Sequence, residues 1–282
     1  MPPNQHDERV NADGVTVDGF GREWATFDHQ DDRTEMRKAF AEYFAIFPWD
    51  RVSKDAVGVD LGCGSGRWAR YVAPRVGKLY CLDASGEALD VARRNLIDRD
   101  NVEFLHSTIE DSPIPDGSLD FAYSLGVLHH VPDTAGAMSA CVRRLRAGAP
   151  MLVYLYYALD NRSTLFRTIW RASDVIRRGV CRLPFGPRLA FSEVLARTVY
   201  WPLARGAALG ELLGANVSQI PLAYYRDKSL YVMRNDALDR FGTKLEKRYT
   251  RADVIRLMEG AGLRDVIVGE GAPYWCAVGY KP

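Results

Sequence analysis

The sequence lacks an excess of charge of either sign. Its 282 residues include 37 basic and 36 acidic side chains, for a formal net charge of +1 at pH 7. Nucleic-acid binding draws much of its affinity from a concentrated positive field around the phosphates. The overall charge therefore gives no support for a nucleic-acid partner, and none is expected.

Cysteines are few, and long apolar runs are missing. The five cysteines are scattered, odd in number and never in a Cys-x-x-Cys pair, which argues against a disulfide framework and a cysteine-rich zinc site. The longest apolar stretch, 149–159, is shorter than the ~18 residues of a membrane span. Residues 1–10 show no apolar signal-peptide core. We expect no metal, no membrane contact and a reducing, cytoplasmic location.

Hydrophobic patterning divides the chain into an alternating part and a helical part. Short apolar runs alternate with helical patterns from residue 56 to 157 and again from 251 to 280. This alternation predicts a mostly parallel sheet with helices on both faces. The segment between them is rich in aromatics and arginine at helical spacing and shows no strand pattern. The predicted fold class is therefore α/β, a doubly wound sheet with a helical cap inserted between the fifth strand and the last helix.

The predicted domain boundaries follow this division. Residues 1–50 form an N-terminal helical segment and lid, with a loose start of about 20 residues and an amphipathic helix over 32–47. Residues 51–157 and 246–282 form the cofactor-binding α/β domain. Residues 158–245 form the helical cap, the predicted substrate domain, with one helix over 161–179 and another over 187–214.

The densest signal is a glycine-rich turn that follows the first predicted strand, with the sequence Val-Asp-Leu-Gly-Cys-Gly-Ser-Gly over 59–66. Glycines let the backbone turn tightly and let a ligand approach closely, at the strand ends where open α/β sheets bind ligands. The spacing differs from the Gly-x-Gly-x-x-Gly of dinucleotide sites. Asp60 would repel a pyrophosphate but would attract an ammonium group. Asp83, at the end of the second strand, can accept hydrogen bonds from ribose hydroxyls.

Together these features resemble the class I S-adenosylmethionine-dependent methyltransferases, closely over 56–157 and more loosely over 250–280. Further matching segments are Glu110-Asp111-Ser112-Pro113-Ile114-Pro115-Asp116-Gly117-Ser118-Leu119-Asp120, Leu128-His129-His130-Val131 and Leu145-Arg146-Ala147-Gly148-Ala149. The resemblance implies a Rossmann-like sheet of seven strands with the last antiparallel. It also implies S-adenosylmethionine as cofactor and S-adenosylhomocysteine as product.

The resemblance assigns cofactor-binding roles residue by residue. The assigned residues are Trp24, Asp60, Gly62, Cys63, Gly64, Gly66, Asp83, Ala84, Thr108, Ile109, Glu110 and Leu125. The glycine loop would line the methionine part, with Asp60 near its ammonium group, and Asp83 would hold the ribose. Leu125 would border the sulfonium.

The adenine end and the N-terminal segment are assigned in the same way. Ala84 would pack on the adenine, and Ile109 would offer its backbone amide to the ring. Thr108 stands where many relatives have an aspartate, so Glu110 or a water would take that role. Trp24, in the segment 20–28, would close over the cofactor or would simply cover the sheet edge.

Three residues are candidates for the chemistry. His129 follows the fourth strand and could act as a general base, or it could be a structural histidine. Tyr156 and Tyr157 follow the fifth strand, and strand alternation allows only one of them to face the site.

The sequence thus predicts an enzyme that transfers a methyl group to oxygen, nitrogen or carbon of a small molecule in secondary metabolism or sugar and glycan modification. Aromatics and excess arginines in the cap suggest an aromatic or anionic acceptor, and the cap could also form a homodimer interface. Two alternatives stay open: a non-catalytic S-adenosylmethionine-binding regulator or assembly protein, and, less favoured, an NAD-dependent oxidoreductase.

Overall fold

The structure is a computed structural model that describes residues 11–27, 33–217 and 219–282. The chain divides into two compact units. Unit 1 comprises Met1–Gln30, Arg37–Tyr157 and Lys247–Pro282, and unit 2 comprises Asp31–Met36 and Ala158–Glu246.

Unit 1 is built on a seven-stranded sheet, as predicted. Its strands are β1 Val57–Leu61, β2 Lys78–Asp83, β3 Val102–His106, β4 Phe121–Leu125, β5 Pro150–Tyr154, β6 Arg264–Val268 and β7 Cys276–Tyr280. The strand order is β3-β2-β1-β4-β5-β7-β6, and β7 runs antiparallel to both of its neighbours. The order reverses between β1 and β4. Their carboxyl ends therefore open the crevice in which sheets of this kind bind ligands.

Ten helices are present in the described ranges. They are α1 Gly14–Thr26, α2 Arg33–Tyr43, α3 Ala69–Val72, α4 Gly86–Asn95, α5 Thr134–Arg144, α6 Thr164–Val180, α7 Phe185–Leu195, α8 Trp201–Leu212, α9 Leu230–Gly242 and α10 Arg251–Gly260. Helices α6 to α9 belong to unit 2, and the others lie wholly or partly in unit 1. No helix in these ranges is long and apolar enough to cross a membrane.

The central strands carry the core of unit 1. Leu61, Phe121, Tyr123 and Met151 are all buried, and β4 is buried along its whole length. A parallel strand that is covered on both faces reads as a continuous apolar run. The patterning over 56–157 therefore predicted these strands to within a few residues.

The start of the chain is more ordered than the sequence predicted. Residues 14–20 are not loose, because they form the first turns of α1. Asp13 caps this helix by accepting a hydrogen bond from the Thr16 amide at 2.8 Å. Gly21 lets α1 approach the start of α4, since a Cβ there would lie 2.6 Å from Ser85 Oγ. Parts of the predicted N-terminal segments, residues 1–10 and 28–32, lie outside the described residues.

The second predicted cap helix, over 187–214, is not a regular α-helix along its whole length. Helices α7 and α8 are joined by a π-helical turn, Ala196–Tyr200, so the helical path is continuous but locally widened. Helix α9 was not recognised as a separate element. It packs beside the π-turn in a small core that contains Tyr200, Met233 and Phe241.

Three arginines of unit 2 bond to backbone carbonyls of other segments within that unit. Arg177 donates to the Thr243 carbonyl at 3.0 Å, and Arg188 donates to the Gly242 carbonyl at 2.7 Å. Arg205 donates to the carbonyls of Arg226 and Lys228, both at 2.7 Å. These guanidinium groups are committed to backbone carbonyls, so they do not support the expected anionic acceptor.

Candidate cofactor and acceptor site

The glycine loop after β1 needs glycine for both conformation and space. Gly62, Gly64 and Gly66 have φ values of 76°, 54° and 75°, a region that residues with a Cβ rarely occupy. A Cβ on Gly62 would lie 2.5 Å from the Val127 side chain, and one on Gly64 would lie 2.8 Å from the Trp24 ring. The loop is thus closely packed between the end of β4 and α1.

Asp60 is a buried carboxylate without a full set of partners. Within the described part of the chain, neither its Oδ2 atom nor the neighbouring Tyr123 hydroxyl meets the geometry of a hydrogen bond, although the two groups are near enough for the hydroxyl to favour the charged carboxylate. Burial raises the pKa of Asp60 to about 8; the nearby Tyr123 hydroxyl lowers it, the Asp83 charge raises it and Arg67 lowers it. A buried acceptor beside a glycine turn fits a ligand that brings an ammonium group.

Asp83 joins the glycine loop to the end of β2. Its Oδ2 atom accepts a hydrogen bond from the Gly64 amide at 2.9 Å, and its Oδ1 atom accepts one from the Ser85 amide at 2.8 Å. Burial raises the pKa of this carboxyl, and the bonds from the two amides act in the opposite direction. Each carboxylate oxygen still has accepting capacity, which fits the predicted role of binding ribose hydroxyls.

Trp24 lies directly on the loop. Its ring is the group that a Cβ on Gly64 would strike, and the Arg67 guanidinium carbon lies 4.9 Å from the ring centroid. The ring is therefore beside the loop that would hold the methionine part. Its closing over the cofactor stays a prediction.

The residues assigned to the adenine end are held by short-range contacts. Thr108 Oγ1 donates to Asp111 Oδ2 at 2.8 Å and accepts from the Asp111 amide at 3.2 Å, so its hydroxyl is occupied by a local turn. Ile109 is buried. The Ala84 carbonyl lies 3.1 Å from His106 Nε2.

Asn11 is a contributor that sequence reasoning missed. Its Nδ2 atom donates to Glu110 Oε1 at 2.6 Å and to the Asp133 carbonyl at 2.7 Å, and its Oδ1 atom accepts from the Asp133 amide at 2.6 Å. Asn11 thereby links the loops after β3 and β4. A lone asparagine in a polar N-terminal stretch gave no sequence signal for this contact. Glu110 is engaged here, and whether it also serves the adenine stays a prediction.

An aromatic cluster lies at the ends of β4 and β5. The His129 ring stacks on Tyr156, with centroids 3.8 Å apart and planes 29° apart. The Tyr154 ring stands edge-on to Tyr156 at 5.8 Å and to Tyr43 at 5.0 Å. Leu125, the predicted neighbour of the sulfonium, ends β4 and is buried.

Tyr157 points elsewhere. Its ring packs 5.3 Å from Tyr274 and 6.3 Å from Trp275, on the side opposite to Tyr154 and Tyr156, as alternation along an extended chain requires. Of the three residues assigned to the chemistry, the structure brings together His129 and Tyr156 and separates Tyr157 from them.

His129 is fully buried. No described residue forms a hydrogen bond with either ring nitrogen. Burial, with the charges of His130 and Arg248, lowers its pKa well below the usual value. Its backbone carbonyl accepts from the Lys247 amide at 3.0 Å, and the Tyr156 carbonyl accepts from the Tyr249 amide at 2.8 Å. The chain therefore leaves unit 1 after Tyr157 and re-enters it beside the same cluster.

No metal centre is visible in the ranges that the structure covers. In those ranges, no group of three His, Cys, Asp or Glu side chains lies close enough together to hold a metal ion. All five cysteines are free and buried.

Residues 59–153 match the family model described as a methyltransferase domain. A ubiquinone biosynthesis O-methyltransferase of Alkalilimnicola ehrlichii is 33% identical over 96 residues, which cover 33% of this chain and 39% of that protein. A ubiquinone/menaquinone biosynthesis C-methyltransferase of Hahella chejuensis is 33% identical over 119 residues, 37% of this chain and 47% of that protein.

Among solved structures, a SAM-dependent methyltransferase of Thermotoga maritima superposes with a TM-score of 0.53 at 16% identity, over 95% of this chain and all of that one. At this identity the likeness shows the fold alone. The chain spans half or less of the length of the curated relatives it matches.

The chain therefore contains a methyltransferase domain of the class I S-adenosylmethionine-dependent family, which confirms the resemblance seen in the sequence. S-adenosylmethionine is the cofactor of this class. The residues at the site fit it, because the buried Asp60 oxygen lacks a partner and Asp83 retains accepting capacity beside the loop.

The raised pKa of Asp60 predicts proton release on ligand binding. With a pKa of about 8, the carboxyl is mostly protonated at pH 7, and an arriving ammonium group favours the carboxylate. Binding of S-adenosylhomocysteine at pH 7 should release close to one proton, measurable by calorimetric titration in buffers of different ionisation enthalpy. Asp60→Asn should abolish the release, whereas Asp116→Asn, on an exposed loop, should preserve it. A wild-type binding enthalpy that does not depend on the buffer would contradict the assignment.

The raised pKa of Asp60 also predicts how the stability of the folded protein changes with pH. The folded-state pKa of about 8 lies above the ordinary value of 3.8, so the ligand-free folded protein binds the extra proton and loses stability as the pH rises from about 4 to about 8. Asp60→Asn should flatten this part of the stability profile.

Proposed function

We propose that the protein transfers the methyl group of S-adenosylmethionine to a small organic acceptor at the ends of β4 and β5. The observation that carries the proposal is the unpartnered, buried Asp60 carboxylate beside a left-handed glycine turn, within a methyltransferase domain. Asp60 would hold the ammonium group, Asp83 the ribose, and the loop backbone the methionine part. The location proposed is the cytoplasm, in keeping with five free cysteines.

The bound cofactor supplies a methyl group on a sulfonium, which is an excellent leaving group. The chain's task is then to exclude water and to align the acceptor, and such alignment can contribute about 7–11 kcal/mol. Leu125 and the aromatic cluster provide apolar walls at this position. A general base is needed only when the accepting atom arrives protonated.

The acceptor favoured by this surface is aromatic or planar. Tyr43, Tyr154 and Tyr156 form a connected set of rings at the end of β5, and such rings bind flat apolar ligands by offset or edge-on contact. The arginines of unit 2 that bond to its own carbonyls give less support to an anionic acceptor. We propose that the acceptor is a secondary metabolite or a sugar, and that oxygen, nitrogen or carbon is the accepting atom.

His129 is the proposed base for a hydroxyl or phenol acceptor. Its lowered pKa keeps the imidazole neutral near pH 7, so it can accept a proton. The ring is buried and stacks on the half-buried Tyr156. The Tyr156 hydroxyl would therefore meet the acceptor first, with His129 next to it.

His129→Gln should lower the rate about 10²–10⁴-fold, the usual contribution of a general base, with S-adenosylhomocysteine affinity unchanged. The wild-type rate should be flat from pH 6.5 to 8 and should fall only at lower pH, because the imidazole is protonated only there. The measurement is kcat against pH with an acceptor that the wild type methylates. Tyr156→Phe is the matched variant, since it keeps the stacked ring. A wild-type rate and pH profile in the glutamine variant would make His129 structural.

Unit 2 is proposed to be the cap that selects the acceptor. Its chain leaves at Tyr157 and returns at Lys247, and both points adjoin the cluster of His129 and Tyr156. A segment inserted at the ligand-binding edge of such a sheet is placed to set substrate choice. The role is independent of cofactor binding, because the residues assigned to the cofactor all belong to unit 1.

Replacing residues 161–245 with a short Gly/Ser linker should abolish turnover and leave S-adenosylhomocysteine affinity within about tenfold, or ~1.4 kcal/mol. Calorimetric titration and an acceptor screen measure the two effects separately. A loss of S-adenosylhomocysteine binding in a folded variant would contradict the assignment of cofactor binding to unit 1 alone. If the intact protein binds S-adenosylhomocysteine but methylates no acceptor in the screen, the result would favour the alternative function, a non-catalytic regulator or assembly protein.

A further inference from the structure

Unit 2 carries most of the exposed apolar surface of the described residues. Of the sixteen large apolar side chains that are exposed there, thirteen lie between Leu165 and Ile220, and the other three are Val15, Ile97 and Ile267. Exposed apolar side chains scattered singly are normal, whereas a dense group marks a binding surface. The concentration in one unit therefore calls for a partner.

Helix α6 buries an ion pair beside Val180 and leaves several large apolar side chains exposed. Its inner face holds Asp174 and Arg177, both buried and joined by an ion pair of 2.6 Å. Leu165, Ile169 and Ile176 are exposed, and their spacings of four and seven residues place them on one face. This exposed face continues to Leu183, beyond the end of the helix.

The start of α6 lies close to the segment that follows α8. The Ser163 amide donates to Gln219 Oε1 at 3.3 Å, which brings the start of α6 beside the segment that follows α8. Leu165 is 71% exposed at that end, and Leu212 and Leu213 are 82% and 77% exposed. We define the apolar surface as Leu165, Ile169, Ile176, Leu183, Leu212 and Leu213.

The charge beside this surface is positive and of one kind. Between residues 161 and 183 the only acidic side chain is the buried Asp174, whereas Arg171, Arg178 and Arg182 are exposed. Basic residues from 158 to 220 are all arginine, the side chain that binds phosphate groups in a bidentate way. The other acids of the stretch are Asp160, which is exposed just before α6, Glu193, which pairs with Arg197 and with Arg234, and Glu211, which pairs with Arg226. Arg178 also pairs with Asp174, so Arg171 and Arg182 carry most of the positive charge beside the surface.

We propose that the apolar surface of unit 2 docks on a membrane rich in anionic phospholipid. An interfacial amphipathic helix combines an apolar face with flanking Lys or Arg, and α6 has both. A second copy of this chain fits less well, because pairing α6 with the α6 of another copy would bring Arg171 and Arg182 against the same arginines, while the acid of that helix, Asp174, is buried. This inference differs from the expectation drawn from sequence, because periodicity alone does not reveal that the apolar face of α6 points outward. It does not depend on the proposed enzymatic function.

Vesicle co-sedimentation of the full-length protein tests the proposal, with vesicles of phosphatidylcholine alone or mixed with phosphatidylglycerol. Binding should be at least tenfold stronger to the anionic vesicles and should weaken with added salt. Leu165→Gln/Ile169→Gln/Ile176→Gln should reduce binding more than tenfold. Arg171→Gln/Arg182→Gln should reduce it roughly 25-fold on anionic vesicles, since each basic residue near such a surface contributes about fivefold.

The matched control is Ile97→Gln/Ile267→Gln, which removes two exposed apolar side chains from unit 1 and should leave vesicle binding unchanged. Thermal unfolding followed by circular dichroism checks that every variant is folded. Absence of vesicle binding, or equal binding by the apolar triple variant, would overturn the proposal. A concentration-dependent dimer that the triple variant dissolves, without vesicle binding, would assign the surface to a second copy instead.

Discussion

The site depends on one backbone constraint, the left-handed glycine turn between β1 and α3. Three positive φ values in five residues carry the chain around the end of β1, and the turn is held by the Gly64 amide bonding to Asp83. This bond fixes the ends of β1 and β2 relative to each other and leaves Asp60 buried behind the loop. A side chain on Gly62 or Gly64 would clash with Val127 or Trp24, so the turn also sets the positions of its neighbours.

The carboxylates that the turn positions are costly to bury without a ligand. Asp60 has an unpartnered oxygen and a pKa raised to about 8. An isolated buried carboxyl reduces its cost by taking up a proton. A ligand ammonium group beside Asp60 would remove that cost, which is the basis of the role proposed for this residue. The stacked rings of His129 and Tyr156 add aromatic surface at the neighbouring strand ends.

The sequence predicted unit 1 well because its signals are local. Alternating apolar runs gave the strands, and Asp60, Gly62, Gly64 and Asp83 lie together because consecutive parallel strands end at one edge. Contacts between residues far apart in the sequence could not be predicted. An example is Asn11, which bonds to Glu110 and Asp133 about a hundred residues away along the chain. The arginine excess of the cap was visible in sequence, but its use in bonding to carbonyls was not. Helix α1 was missed because one side-chain cap and one close approach at Gly21 stabilise it.

The most direct measurement for the central claim is the affinity of the protein for S-adenosylhomocysteine before and after Asp83→Ala. The substitution removes charge-assisted acceptors for the ribose and the bond that ties Gly64 to β2, so affinity should fall by about 2–4 kcal/mol, roughly 30- to 1000-fold. Asp83→Asn, which keeps one accepting oxygen, should lose less. An unchanged dissociation constant in the alanine variant would contradict the assignment of this edge of the sheet as the cofactor site.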